Sequence, residues 1–185
     1  METTATLTKT KWAIDHAHTQ IQFKAKHLMI SSVTGKFTVY DAEIESYEDE
    51  LETTTIDFTI DAASITTGND ERDAHLKSAD FFDAKQYPKL TFKSTAFRKL
   101  EDEYYELFGN LTIKGITKQI ALDVEYGGTV KDPSGEMKSG FTVIGKINRK
   151  DWDLKWNFSL EDGGFLLNDD IKIMCEIELF KEKEF

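Results

Sequence analysis

Apolar and polar residues alternate with a period of two along most of this chain, the pattern of a strand with one face on a core and the other in water. Ile21, Phe23 and Ala25 are separated by Gln22 and Lys24, and Ile56, Phe58 and Ile60 by Asp57 and Thr59. The same beat runs through Leu90 and Phe92; Leu107, Gly109, Leu111 and Ile113; Ile120, Leu122, Val124 and Tyr126; Phe141, Val143, Gly145 and Ile147; and Ile171 to Leu179. About eight such segments are predicted, joined by turn-like clusters. Acidic tips at Glu48-Asp49-Glu50 and Glu101-Asp102-Glu103, the Asp132-Pro133-Ser134-Gly135 turn and the Lys114-Gly115 reversal all suit antiparallel neighbours. Serial hairpins of this kind build a sandwich or an up-and-down barrel, and no βαβ unit interrupts them.

One interval breaks the rhythm. From Asn69 to Lys85 the spacing predicts a short helix capped by Asn69 with an acidic first turn, a further turn capped by Ser78, and an end at Tyr87-Pro88. Leu76, Phe81 and Phe82 are too apolar for an exposed loop, so this segment should fold over one mouth of the sheet as a lid. The 185 residues are expected to form a single domain, with residues 1–10 as a flexible N-terminus.

Composition narrows the partners. Lys and Arg number 23 against 34 Asp and Glu, a net charge of −11, which offers no basic face to nucleic acid or to an anionic membrane. No run approaches the roughly 18 apolar residues of a spanning helix, and the start lacks the apolar region of a secretory leader, so a cytoplasmic protein without stable membrane insertion is expected, or a periplasmic one if a leader was removed. Cys175 is the single cysteine, which excludes an internal disulfide and a thiolate zinc cage.

Few residues suggest chemistry. His16 and His18 could converge on one face of a strand, but no third ligand is identifiable, and no metal site is expected. Glu71, Arg72, Asp73 and His75 offer an acid–base pair; the plainer reading is an ion pair anchoring the lid to the rim. His27, beside Leu28-Met29-Ile30, reads as a hydrogen-bonding residue near a mouth. No nucleophile elbow or phosphate loop is present, and Cys175 sits mid-strand, where a lone thiol acts as a small hydrophobe. The sequons at Asn110 and Asn157 are short chance-level matches. More informative are the 13 phenylalanines, several on or beside strand segments. An eight-stranded barrel is wide enough either to be filled by such side chains or to hold one apolar ligand, and periodicity alone does not decide between core and pocket.

Trp12 through Phe23, followed by His27 and Gly35-Lys36-Phe37, resembles the opening of the YceI-like family of polyisoprenoid-binding proteins. The likeness continues through Ser64-Ile65, Asp70, Arg72-Asp73-Ala74-His75-Leu76, Asp80-Phe81-Phe82-Asp83, Tyr87-Pro88 and Thr91-Phe92-Lys93-Ser94, then Gly109 to Thr117. In the late segment, Asn148 to Asp153 keeps Arg149 and Asp151 but is bulkier than is usual there, which would reshape one end of a channel. The resemblance implies an extended eight-stranded antiparallel β-barrel, lipocalin-like, enclosing a long apolar channel for an isoprenoid such as a quinone, and a homodimer as in several relatives.

Strands of about ten residues at roughly 3.3 Å each can line a channel of about 30 Å. The function expected is therefore non-enzymatic transport or sequestration of an isoprenoid lipid, with no catalytic residue, metal or cofactor. The predicted channel residues are Phe23, Leu28, Phe37, Leu76, Phe81, Phe82, Phe92, Phe141, Ile147 and Trp152, with Arg72 and His75 at the rim. Arg72 and Arg149 are the cations available to hold a local anion, although the net charge favours a neutral head group. The alternatives are a stress-associated structural or interaction protein with a filled barrel and, less favoured, a lipid-modifying enzyme using residues 70 to 83.

Overall fold

The structure, a computed structural model, describes residues 7–161 and 163–183. Its strands are β1 (Lys9–Ile14), β2 (Gln20–His27), β3 (Ser31–Phe37), β4 (Tyr40–Tyr47), β5 (Glu50–Asp61), β6 (Ile65–Thr66), β7 (Lys89–Glu101), β8 (Tyr104–Ile113), β9 (Ile116–Lys131), β10 (Met137–Asn148) and β11 (Leu167–Lys181), with one helix, α1 (Asp70–Lys77). The ring β1-β4-β5-β7-β8-β9-β10-β11 closes through antiparallel β1–β11 pairing. Closure leaves this ring of eight strands without a first or last member.

The expected eight-stranded barrel is present, with three of its staves creased. β2 continues β1 along β11, β3 continues β4 beside β2, and β6 continues β5 beside β3. The breaks fall next to one another, at residues 15–19, 38–39 and 62–64, and backbone bonds stitch them: Thr38 N donates to Ser64 O and Asp61 N to Val39 O. Tyr40 Oη, donating to Thr19 O at 2.9 Å, ties the first crease to the second. Beyond the creases, β6 leaves a gap before β7, and α1 with the turns of residues 78–87 fills it.

The helix begins as its sequence dictates: Asn69 Oδ1 accepts from Arg72 N at 2.9 Å, with Asp70, Glu71 and Asp73 in the first turn. Residues 1–6, part of the stretch expected to be flexible, lie outside the described residues. Lys9 and Thr10 correct the rest of that expectation. They belong to β1, and Thr10 is buried with its Oγ1 donating to Asp49 Oδ1 at 2.7 Å.

Residues 15–19 also correct the paired-histidine picture. They form a turn, so His16 packs against the Tyr40 ring at 5.2 Å while His18 Nδ1 lies 3.0 Å from Asp15 Oδ2. Asp15, His18 and Glu178 converge closely enough to interest a cation, yet Lys138 Nζ already sits 2.6 Å from Asp15 and 3.6 Å from Glu178. The Lys138 ammonium, then His18, hold the Asp15 carboxyl well below the usual carboxylate range.

A carboxyl depressed on folding stabilises the fold above its unfolded value, about pH 3.9, and loses that contribution as the pH falls further. Asp15→Asn should therefore lower the melting temperature by its full amount at pH 7 and flatten the acid limb below about pH 4, the two proteins converging as the pH falls. Parallel acid limbs in the two proteins would show that this cluster contributes nothing to the transition.

Candidate functional site

Inward-facing positions do not fill the barrel. Two cavities occupy it, of about 540 Å³ at the α1 end and about 380 Å³ towards the β4–β5 turn. Ile21, Ile60, Leu111 and Ile173 line both, so the cavities meet at a waist of aliphatic side chains. On β10, Met137 lines the smaller and Ile147 the larger. That stretch covers about 33 Å of strand at ~3.3 Å per residue, or about 25 Å along an axis inclined by ~40°.

Glycines keep the bore open. Gly35 faces Phe23 across the β2–β3 ladder, and a Cβ there would stand 2.3 Å from Phe23 Cζ. Gly109 plays the same part for Phe92, also at 2.3 Å. With no side chain beneath them, both rings lie flat against the wall instead of reaching across the lumen.

Phe23, Phe37, Leu76, Phe81, Phe82 and Ile147 line the larger cavity, as do Arg72 and His75. Phe92 and Phe141 line the smaller. The remaining two predicted channel residues lie elsewhere. Leu28 opens the β2–β3 turn with φ of 52°, its N–H donating to Leu166 O, and lines neither cavity. Trp152 is 1 % exposed in the packed core, with Nε1 donating to Leu111 O at 3.0 Å. It belongs to the 3-10 turn Arg149–Trp152 that follows β10, packs with the buried core and lines neither cavity. Local alternation could not find this, because residues 149–166 have no period to read.

The polar groups at the α1 end are mostly committed. Arg72 donates through Nε to Thr67 Oγ1 and through Nη2 to Thr67 O, while Asp73 accepts from Thr67 N and Oγ1. The expected ion pair is replaced by hydrogen bonds: Arg72 and Asp73 both bond to Thr67 on the β6–α1 link, and that is what anchors the lid. His75 Nε2 meets Asp80 Oδ2 at 2.9 Å, and its ring stands edge-on to Trp156 and Phe81 at 4.6 and 5.1 Å. Arg149, a candidate for holding an anion, is 2 % exposed and donates to Asn168 O, Trp156 O, Leu154 O and Asp169. Its guanidinium is consumed by the protein's own oxygens, and burial pulls its pKa down.

Cys175 lines the smaller cavity, and burial pushes its thiol up to about 11, which removes it as a nucleophile. Sequence reasoning missed Trp12, Thr54 and Phe97 on that cavity's wall. The signal for Thr54 was present: it shares the parity of Ile56, Phe58 and Ile60 on β5.

The rim at the α1 end is unusually greasy. Met29 and Ile30 are 61 % and 84 % exposed on the β2–β3 turn, and Phe158 and Phe165 are exposed on the adjoining loop, which the Leu28–Leu166 bond ties to that turn. Among the described residues no helix is long and apolar enough to cross a membrane.

Relatives share this architecture. A UPF0312 protein of Staphylococcus aureus is 38% identical over 170 residues, covering 91% of this chain and 96% of the relative. The crystal structure of a Campylobacter jejuni YceI protein is 40% identical, covers 86% of this chain and 90% of that one, and superposes with a TM-score of 0.72. A Saccharophagus degradans domain, described as polyisoprenoid binding and implicated in plant cell wall breakdown, shares the fold at a TM-score of 0.65 with 15% identity, over 92% of this chain and 98% of that one. With a YceI-like domain matched across residues 12–179, nearly the whole closed barrel, the chain belongs to the YceI-like family.

Proposed function

We propose that this protein binds and carries an apolar isoprenoid lipid, of polyprenyl or quinone type, along the barrel axis without altering it chemically. The observation that carries this reading is the pair of adjoining cavities, walled by aliphatic and aromatic side chains over about 25 Å. Such a bore disfavours the filled-barrel alternative. Every ~100 Å² of hydrocarbon surface taken from water into it is worth about 2.5 kcal/mol before the costs of association, so affinity grows with chain length and needs few polar contacts.

The polyisoprenoid-binding relative supports the ligand class, and the exposed Met29, Ile30, Phe158 and Phe165 supply an apolar threshold for a lipid passing to or from its source. The arrangement of His75 argues against the enzyme alternative. Asp80 takes its Nε2 and aromatic edges pack its ring, a wall residue's environment. Protein purified from its native host under non-denaturing conditions should carry a neutral long-chain lipid, seen as a mass adduct in native mass spectrometry and released by solvent extraction. Lipid-free protein that also shows no saturable uptake of a prenyl probe would overturn the reading.

A further inference from the structure

The two ends of the barrel expose different kinds of apolar surface. Away from α1, Leu100 and Val130 are exposed, but the chain runs at once into Glu101-Asp102-Glu103 after the first and Lys131-Asp132 after the second. At the α1 end, Met29 and Ile30 lie in a stretch, Leu28 to Gly35, that contains no charged residue. Ile30 is 84 % exposed, so almost none of its surface rests on the protein.

The turn that holds these side chains out is strained. Leu28 and Met29 form the two-residue loop of the β2–β3 hairpin, with φ of 52° and 60°, closed by Ile30 N donating to His27 O at 3.2 Å. Asn-Gly is the pair that suits this backbone, and large side chains do not. A strained turn that holds apolar side chains in water recovers that cost where they leave water.

The surroundings identify the apolar phase as lipid. Leu28 N donates to Leu166 O, Leu166 N to Phe158 O and Phe158 N to Asn157 Oδ1, so sinking this tip into a headgroup layer strands few backbone groups. The tip is continuous with the larger cavity, whose wall includes His27, Leu166 and Leu167. Charge sets the kind of lipid. Glu161, on the loop that carries Phe158 and Phe165, and Asp70 and Glu71 on α1 are exposed, against Lys26 beside the turn, and the chain carries −11 overall. An anionic surface repels this end, whereas the ammonium groups of a zwitterionic headgroup layer accept it.

Resting on the lipid-binding reading above for its purpose, we propose that Met29 and Ile30, with Phe158 and Phe165 beside them, insert reversibly into the interfacial layer of a zwitterionic bilayer. The mouth of the larger cavity is thereby set against the phase from which lipid is drawn.

Full-length protein should float with phosphatidylcholine vesicles and bind phosphatidylglycerol vesicles more weakly. Met29→Asn/Ile30→Ser gives the turn a residue that accepts positive φ and removes little packing. It should melt no lower than the wild type, yet partition at least about tenfold more weakly. Leu100→Ser/Val130→Ser, at the opposite end, should leave partitioning unchanged. The rate at which a fluorescent prenyl probe passes from phosphatidylcholine vesicles into the protein should rise in proportion to vesicle concentration, the mark of transfer by collision. In Met29→Asn/Ile30→Ser that dependence should disappear.

Wild type that does not float, tighter binding to phosphatidylglycerol, or equal losses in the two double variants overturns docking. A mass in sedimentation velocity that falls from dimer to monomer in Met29→Asn/Ile30→Ser, with no flotation of the wild type, assigns the patch to a second copy of this chain and also overturns it. Uptake of the same probe added from ethanol, without vesicles, reads lipid binding separately: its absence overturns that reading, and its presence beside failed flotation overturns docking alone.

Discussion

Ile173→Trp should divide the bore and cap the length of chain the protein can shelter. Ile173 lies on β11 between Phe23 of β2 and Gly145 of β10, and it contributes to the walls of both cavities. Its facing neighbours at the waist, Ile21, Ile60 and Leu111, are themselves bulky, so an indole has only the lumen in which to lie. In the wild type, affinity for a series of prenyl alcohols should rise with each added isoprene unit until the two cavities are full. In Ile173→Trp the rise should stop when one cavity is full, leaving the longest chains at least about tenfold weaker while the shortest are held nearly as before.

The expected loss of stability is about 1–3 kcal/mol, the usual cost of overpacking, and smaller if the ring settles in existing space. Titration of each alcohol against a fluorescent apolar probe gives the comparison. Two curves that stay parallel to the longest chain would mean that ligand does not pass the waist.

Much of this architecture was legible because the barrel wall obeys local rules. Alternation over Leu107 to Ile113, Ile120 to Tyr126 and Phe141 to Ile147 corresponds to β8, β9 and β10, and the Lys114-Gly115 reversal has the positive φ values, 50° and 72°, that a tight hairpin needs. Asn69 was readable as a cap for the same reason: the group that satisfies the helix start is next to it in sequence.

Other features depend on partners far away in the chain. The creases of β1–β2, β3–β4 and β5–β6 are held by bonds such as Glu178 N to Thr19 Oγ1 and Thr38 N to Ser64 O, so no short window reveals them. Leu28 and Trp152 looked like channel residues because both are large and apolar, but a turn removes one from the wall and a 3-10 turn packs the other into the core, off both cavities. Division of the lumen into two cavities depends on how four staves bring Ile21, Ile60, Leu111 and Ile173 to one level. That is a matter of register between strands and not of composition within any of them.

Arg149→Met should be the most damaging single change to stability, because one buried cation organises a segment that has no regular structure of its own. Nε donates to Asn168 O at 3.0 Å, Nη1 to Trp156 O at 2.8 Å and to Leu154 O, and Nη2 reaches Asp169 Oδ1 at 3.3 Å. Asp169 keeps Lys150 at 2.8 Å when the guanidinium is removed, so the loss falls chiefly on the three carbonyls. Each buried acceptor left without a donor costs about 1–3 kcal/mol, and breaking a buried charged contact from one side typically costs about 3–5 kcal/mol in all. A drop in unfolding free energy of about 3–5 kcal/mol is therefore expected, read as a lower denaturant midpoint. Arg149→Lys should recover little of it, because a single ammonium on a flexible stem cannot reach acceptors spread around a planar fork. Trp156 and Leu167 line the larger cavity, so the damage should reach the ligand: hydrogen exchange should quicken across residues 154–168, and uptake of long prenyl chains should weaken together with it. An unchanged midpoint with unchanged exchange in that segment would mean that the surrounding packing alone holds the loop, and that the guanidinium contributes nothing to the cavity wall.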